Sequence, residues 1–504
     1  MNDRSTTEWH ALANAIERPA EPFIDGAPAS AQRDDRLATC NPATGAVLAR
    51  VANCTEHDVD RAVTVARRAF ERGEWSRAPA AERKQILLAI AATIRTHAEE
   101  LAVLDTLDAG KCISEAQGDV AEAADLFQWF GETLDKVHEE VAPTGPDSLA
   151  TVTYEPAGVI GAIVAWNFPV HNAAVKLAPA LAAGNSVVLK PAEDTPLSAL
   201  RLAQLCSDAG LPRGVLNVVT GPGPTTGRAI ALHPGIDIVG FTGSTAVGRE
   251  LLRNSADSNL KPVWLECGGK SPNIVFDDCP ALDQAVEATI GGIFTNAGQV
   301  CSAHSRLLLQ QGISARFLDR LLEKAGEIRP GDPLDPQCRF GAIINATQHA
   351  RILKAIGNAR EHATLRLGGG ATTVDGQGLF IEPTIFTDVD PDTRLAQEEI
   401  FGPVLAVSTF TAEADAIAQA NNSVYGLSAS AWTSDLGRAH RLTRSISAGT
   451  VAVNTVDAVS PQTPFGGTKQ SGIGRDYALH GMHKYMNQKT SWLEFRATHD
   501  EVIA

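Results

Sequence analysis

From about Ala157 onward, short apolar runs alternate with longer stretches of helical periodicity, and this alternation restricts the fold more than any other feature. Gly158–Ala165 reads as a buried strand, His171–Ala183 as a helix and Ser186–Lys190 as a strand. Leu197–Ala209 is again helical, while Val215–Val219 and Ile236–Phe241 are further strands. Such runs, bounded by Gly or Pro, lack the polar alternation of a half-exposed strand. They suit strands buried on both faces of a parallel sheet that helices cover. A second series begins near Ser271, with strand Asn273–Phe276, helix Ala281–Asn296, strand Arg306–Leu309 and a late strand Gly449–Asn454. Two α/β units in one chain enclose a cleft, the usual place for a ligand.

The remaining segments arrange themselves around these units. A chain of 504 residues can bury the cores of about three domains. The portion up to about Val137 is rich in Ala, Glu and Arg at helical spacing and is expected to pack around the first unit. His138–Glu155 and the chain after Gly481 alternate polar with apolar residues, as in Leu149-Ala-Thr-Val-Thr-Tyr154. These read as strands whose partners lie elsewhere, another subunit included.

Charge and cysteine usage narrow the function. A formal net charge of −16 repels nucleic acid and anionic membranes and weakly favours a neutral or cationic small substrate. The polar stretch Met1–His10 lacks the basic start and apolar core of a secretory signal. The apolar run Gly158–Trp166 is far too short to span a bilayer. Eight cysteines without a C-x-x-C pair form neither a zinc pattern nor a disulfide framework, which points to a reducing cytoplasm and to no metal site.

Several segments carry candidate chemistry. Cys301 follows a Gly-Gln turn in Asn296-Ala-Gly-Gln-Val-Cys301; a free cysteine is usually structural, but one on a loop with small neighbours is open to a substrate. Glu266, at a strand end before Gly268 and Gly269, is either a loop carboxylate or a general base. Asn167, after a buried strand, either caps the next helix or donates its amide into the cleft. Phe241-Thr-Gly-Ser-Thr-Ala-Val-Gly248 runs from strand to helix and offers N–H groups to a phosphate. Lys190-Pro-Ala-Glu193 stands at a strand end, where a doubly wound sheet recognises a sugar. Each piece alone is ambiguous.

In this order and spacing the segments resemble the aldehyde dehydrogenase superfamily over essentially the whole chain. The strongest signatures are Glu266-Cys-Gly-Gly-Lys270, Gly298-Gln-Val-Cys301, Trp166-Asn-Phe-Pro169, Glu398-Glu-Ile-Phe-Gly-Pro403 and Pro464-Phe-Gly-Gly467. The resemblance implies an α/β fold with a Rossmann-like parallel-sheet cofactor domain (1–137 and 157–267). It adds an α/β catalytic domain (268–481) and a small β oligomerisation arm (138–156 and 482–504). It implies a homodimer or homotetramer.

The resemblance also implies a mechanism. Cys301 is the nucleophile, Asn167 and the Cys301 N–H hold the oxyanion, and a nicotinamide accepts the hydride. Glu266 then activates water against the thioester, which requires a carboxylate with a pKa nearer neutrality than a free one. Lys176 and Asp476 match a Lys–Glu proton relay, the aspartate being one methylene shorter. For NAD, Lys190 and Glu193 match the adenosine-ribose residues and Ser244 the pyrophosphate serine. Ile163, Trp166, Gly223 and Phe241 match the adenine side, Glu399 and Phe401 the nicotinamide ribose, and Gln348 and Arg351 more distant helpers. Glu193 would repel a 2′-phosphate, so NAD is expected over NADP. Cys267, where a leucine is common, reads as a small hydrophobe.

The same resemblance places the substrate channel at Phe168, Val170, His171, Asn172 and Val175, at Asp119 and Glu122, and at Val456, Asp457, Val459 and Phe465. Valine at 175 and 459, where aromatics are common, implies a wider and more polar channel. Asp119 and Glu122 share one helical face, and with Asp457 they form an acidic mouth or are simply solvated. Phe70-Glu-Arg-Gly-Glu-Trp75, Val141-Ala-Pro-Thr-Gly-Pro-Asp147 and Ser258-Asn-Leu-Lys-Pro-Val-Trp264 resemble the bacterial branch acting on ω-aminoaldehydes and γ-glutamyl-γ-aminobutyraldehyde. An amine- or polyamine-derived aldehyde is therefore expected. The alternatives are a broad-specificity aliphatic or aromatic aldehyde dehydrogenase, a coenzyme A-acylating enzyme, which commonly lacks the glutamate, and a non-catalytic NAD-binding protein.

Overall fold

The structure, a computed structural model, describes residues 4–495. The outermost parts of the expected first and last segments, residues 1–3 and 496–504, lie outside the described residues.

Five parallel strands make the centre of the first sheet, in the order Leu216–Val218, Ser186–Lys190, Val159–Ile163, Ile238–Thr242, Val263–Glu266. Every residue of Val159–Ile163 and Ser186–Lys190 is buried, as unbroken apolar runs require. Chain order reverses between Val159–Ile163 and Ile238–Thr242, which opens a crevice at their carboxyl ends. Antiparallel edges close the sheet: Phe23–Ile24 on one side and Gly472–Ile473 on the other.

The second sheet runs Thr364–Leu367, Thr384–Thr387, Val404–Phe410, Arg306–Gln310, Pro272–Val275, Ser428–Trp432, Thr450–Val453. Only its first strand is antiparallel to its neighbour. Each sheet has its own apolar cores, and the helices Ala80–Thr96, Ile113–Thr133 and Pro169–Ala182 share one large cluster beside the first. Pro169 sits in the first turn of its helix, where its preset φ helps and its missing N–H is not needed. Every residue of that helix except His171 is buried.

Two expectations need correction. The helical pattern at the N-terminus is interrupted: after the helix Thr6–Ala15 it resumes only at Glu56, behind a capping box between Thr55 and Asp58. Before it lie two hairpins, Phe23–Ile24 with Ala27–Pro28 and Arg36–Cys40 with Val47–Ala52. The second is closed by an Asn41 side chain accepting from Ala43 N and by Gly45 at φ 75°, turn chemistry that overrides an Ala-rich composition. The two leftover strands, moreover, pair with each other inside the chain: Ser148–Pro156 runs antiparallel to Met486–Glu494, with Glu140–Ala142 on its other side.

Candidate active site

The two units face each other across a cavity of about 440 Å³ at the carboxyl end of the first sheet. Its walls come from the loops after Val159–Ile163, Ile238–Thr242 and Val263–Glu266, and from the turn that carries Cys301. The cavity brings together Cys301, Glu266, Asn167, Ser244, Gln348, Arg351, Glu399 and Phe401 with the channel candidates Asp119, Glu122, Phe168, His171, Asn172, Val175, Asp457, Val459 and Phe465; Val170 is buried away from it.

Cys301 reaches the cavity because the helix Leu282–Phe294 ends abruptly. Asn296, Ala297 and Gly298 all take left-handed backbone angles (φ 49°, 52° and 74°), a conformation unfavourable for the first two and therefore held by its surroundings. Asn296 Nδ2 donates to the Asn167 carbonyl at 2.8 Å, and Asn296 N donates to Glu115 at 2.9 Å. Gln299 bridges to the far loop, accepting from Ile344 N and donating to the Ala342 carbonyl. Gly269 explains a glycine of the Glu266 motif: a Cβ there would stand 2.7 Å from the Cys301 carbonyl oxygen. The Cys301 thiol is half-buried. Burial first, and then the Glu266, Glu399 and Asp457 carboxylates, push its pKa up.

Asn167 is almost wholly buried and firmly held. Its Nδ2 donates to the Gln299 carbonyl at 3.0 Å, which leaves the second N–H of the amide for another acceptor. Its Oδ1 accepts from Asn172 Nδ2 at 3.2 Å, which sets which end of the amide is the donor. Asn172 is thus a support for the amide.

Glu266 closes its strand with both carboxylate oxygens buried and without a hydrogen-bond partner. A Cβ at Gly466 would come 2.6 Å from Glu266 Oε1, so the Pro464-Phe-Gly-Gly467 signature makes room for this side chain. Burial first, and the Asp476 carboxylate second, raise the Glu266 pKa to about 8 against the pull of Lys176, Lys484 and Arg475. Lys176 Nζ lies 2.6 Å from Asp476 Oδ2, so the shorter aspartate still reaches. Lys484 contacts the other oxygen, a partner the sequence reading missed.

On the cofactor side, the Thr245–Ala256 helix begins at the cavity with Ser244 as its N-cap. A helix start presents unpaired N–H groups and the positive end of its dipole, which fits a pyrophosphate. Lys190 is buried, 3.3 Å from Glu193, whose other oxygen is 3.5 Å from Gly223 N; the half-exposed Glu193 carboxylate fits a ribose diol. Gln348 Nε2 donates to the Ile400 and Phe401 carbonyls and Arg351 to the Glu399 carbonyl. These two residues hold the Glu399–Phe401 segment, in which Phe401 is left-handed (φ 59°). Ile163 and Phe241 are register partners buried in one core cluster, and Trp166 stands edge-on to Phe401 at 5.2 Å, with the residues expected at the nicotinamide ribose. Cys267 packs in that same core, and burial lifts its pKa to about 12.

The mouth also differs from expectation. Asp119 is ion-paired to the buried Lys111, so it adds no free negative charge; Glu122 and Asp457 remain. Lys111 was overlooked, yet its Nζ also donates to the Asn167 carbonyl at 3.1 Å and lies 4.0 Å from the Phe168 ring centroid. His171 is neutral at pH 7, burial lowering its pKa to about 4, and its Nε2 is 3.0 Å from the Tyr477 hydroxyl. Tyr477, another omission, packs edge-on to Phe465. The valines at 175 and 459 line the cavity, but Phe168, Phe465 and Tyr477 give it aromatic walls, so the channel is less polar than expected. Among the described residues no His, Cys, Asp or Glu cluster is suited to a metal ion, and no helix is long and apolar enough to cross a membrane.

Comparisons with known proteins agree with this geometry. A profile of the aldehyde dehydrogenase family matches residues 29–491. The chain is 48% identical to the NADP/NAD-dependent aldehyde dehydrogenase PuuC of Escherichia coli (strain K12), over 99% of its length and 100% of that protein. A gamma-glutamyl-gamma-aminobutyraldehyde dehydrogenase from Burkholderia cenocepacia J2315 superposes with a TM-score of 0.96 at 47% identity, covering 98% of this chain and 100% of the other. An indole-3-acetaldehyde dehydrogenase of P. syringae, solved with NAD+ and IAA, gives 0.96 at 45% identity over 97% and 100%.

Proposed function

The chain belongs to the aldehyde dehydrogenase family, and from that premise we propose that it oxidises an amine- or polyamine-derived aldehyde to the carboxylic acid with NAD, through a thioester on Cys301. One observation carries the reading: a half-buried thiol, a pre-aimed amide and a buried, unpartnered carboxylate line one cavity.

Cys301 Sγ attacks the aldehyde carbon once its proton has left. The oxyanion accepts hydrogen bonds from the free N–H of the Asn167 amide and from the Cys301 N–H, each such donor contributing about 2.7–4 kcal/mol to the transition state. NAD, when bound, supplies the hydride acceptor. Glu266 takes a proton from the water that cleaves the thioester; a base near pH 8 is well matched to that work. Its proton leaves through Lys176 and Asp476. The presence of Glu266 opposes coenzyme A acylation, and acid formation without added coenzyme A tests that point.

Glu122 and Asp457 support a cationic substrate, and the similarity to a gamma-glutamyl-gamma-aminobutyraldehyde dehydrogenase supports an amine-derived one. The aromatic walls at Phe168, Phe465 and Tyr477 favour a second reading, a broad-specificity enzyme for aliphatic or aromatic aldehydes. A panel assayed with NAD and with NADP decides between them. Higher kcat/KM for 3-aminopropanal or 4-guanidinobutanal than for hexanal or benzaldehyde is expected; equal values overturn the amine preference.

We assign cofactor binding to residues 1–137 and 157–267, the chemistry to 268–481, and assembly into a homodimer or homotetramer to 138–156 with 482–504. Val141, Trp492, Leu493 and Phe495 stand exposed on that arm, an apolar surface that association would cover. Light scattering of the purified protein measures the assembly. The eight free thiols suit a cytoplasmic location.

A further inference from the structure

Cys112 and Cys338 are 226 residues apart in sequence, yet their sulfurs lie 3.2 Å from each other. We propose that they form a redox modification site, which a hydroperoxide converts to a disulfide joining the cofactor-side unit to the catalytic unit. Cys112 caps the helix Ile113–Thr133, and Cys338 sits on the loop before the helix Ala346–Ala359. The backbone clamps the two segments on both sides of the sulfurs: Ile113 N donates to the Pro333 carbonyl and Ala342 N to the Gly110 carbonyl, each at 2.8 Å. Closing the pair to a bond of about 2.05 Å needs a movement of about 1.2 Å, within reach of side-chain rotation.

The two sulfurs are not equivalent. Cys338 is flanked by the exposed Gln337 and Arg339, whereas Cys112 is sealed. The Cys112 S–H donates to Cys338 Sγ, which lowers the Cys338 pKa and raises that of Cys112. Cys338 is therefore the sulfur that meets the oxidant. Its thiolate attacks one oxygen of hydrogen peroxide, the O–O bond breaks, and a sulfenic acid and hydroxide form. Cys112 Sγ then attacks Cys338 Sγ, the S–O bond breaks, and water leaves with the Cys112 proton. Two thiols and one peroxide become one disulfide and two waters. The remaining buried thiols have other surroundings: Cys54 faces Thr220, Cys206 lies in an apolar core and Cys267 packs on Gly248.

The test uses the full chain carrying Cys301→Ser, so that oxidation of the catalytic thiol does not enter the count. Exposure to hydrogen peroxide is expected to remove two thiols, to yield a Cys112–Cys338 linked peptide in a non-reducing mass-spectrometric map, and to be reversed by dithiothreitol. Adding Cys338→Ser should abolish the linked peptide and leave Cys112 reduced. Overturning results are Cys112 and Cys338 both still free after oxidation, separate sulfinic acids, a different pairing, or unchanged thiol loss in the double variant.

Discussion

Lys176 Nζ lies 2.6 Å from Asp476 Oδ2, with both side chains almost wholly buried. Lys484 takes the other carboxylate oxygen, so one aspartate contacts two ammonium groups immediately behind Glu266. Burial alone would raise the Asp476 pKa; the two lysines outweigh it and hold the carboxyl below its ordinary range. The stabilisation is thus present above the unfolded carboxyl pKa of about 3.9 and lost as pH falls through the lower folded value.

Asp476→Asn leaves two buried cations unpaired. It should destabilise the protein by about 3–5 kcal/mol at pH 7 in chemical denaturation, a difference that shrinks as pH falls below the unfolded carboxyl pKa and through the lower folded one. Because Asp476 is one of the causes raising the Glu266 pKa, the variant's acid limb of kcat should also move to lower pH. A limb that stays in place or moves upward removes Asp476 from the base's electrostatics.

Glu266 itself predicts a pH profile. A base must be ionised, so with hydrolysis of the thioester rate-limiting kcat should climb with pH and level off above about 8. Glu266→Gln should cut turnover roughly 10²- to 10⁴-fold while NADH still appears in a burst equal to the enzyme concentration. A variant that loses the burst as well would place Glu266 in the acylation step.

Asn167→Ala removes the amide that Asn172 and Gln299 hold in place. A fall in kcat of roughly 10²- to 10³-fold, with little change in KM, is expected for a donor that acts mainly in the transition state. A rise in KM alone would mean that Asn167 only binds substrate.

At the mouth, Glu122→Gln and Asp457→Asn each remove a charge that faces the channel, whereas Asp119 is already matched by Lys111. A single charge at about 4 Å in water contributes about 1 kcal/mol, so each change should raise KM for 3-aminopropanal roughly fivefold and leave hexanal unaffected. The effect should fade at high salt. Equal changes for both aldehydes would assign these carboxylates to folding or solubility.

The sheets and the signature segments were legible because their signals are local. An unbroken apolar run such as Ser186–Lys190 can only be buried on both faces, and motif glycines such as Gly269 and Gly466 exist because other backbone or side-chain atoms press against them. What escaped depends on long-range pairing. Nothing near Lys111 in sequence announces that it reaches Asn167, 56 residues on, nor that Tyr477 would supply an aromatic wall from 306 residues beyond His171. The pairing of Asp119 was hidden for the same reason: Asp119 and Glu122 share a helix face, but the cation that cancels the first comes from outside that helix.

The proposed preference for NAD over NADP turns on Glu193. Lys190, buried and with its pKa lowered mainly by that burial, keeps the Glu193 carboxylate close at 3.3 Å, while Gly223 N marks the opposite side of the same carboxylate. A ribose diol can donate to such a carboxylate; a 2′-phosphate would bring a second anion against it, and one lysine cannot neutralise both. Glu193→Gln keeps the shape and removes the charge, so kcat/KM with NADP should rise relative to NAD by roughly tenfold, most of it through KM. The ratio should respond to salt in the parent protein more than in the variant, since screening weakens only the repulsion that the variant lacks. A parent enzyme that already uses both cofactors equally, with a ratio unmoved by the substitution, would show that the adenosine end is free to sit clear of Glu193.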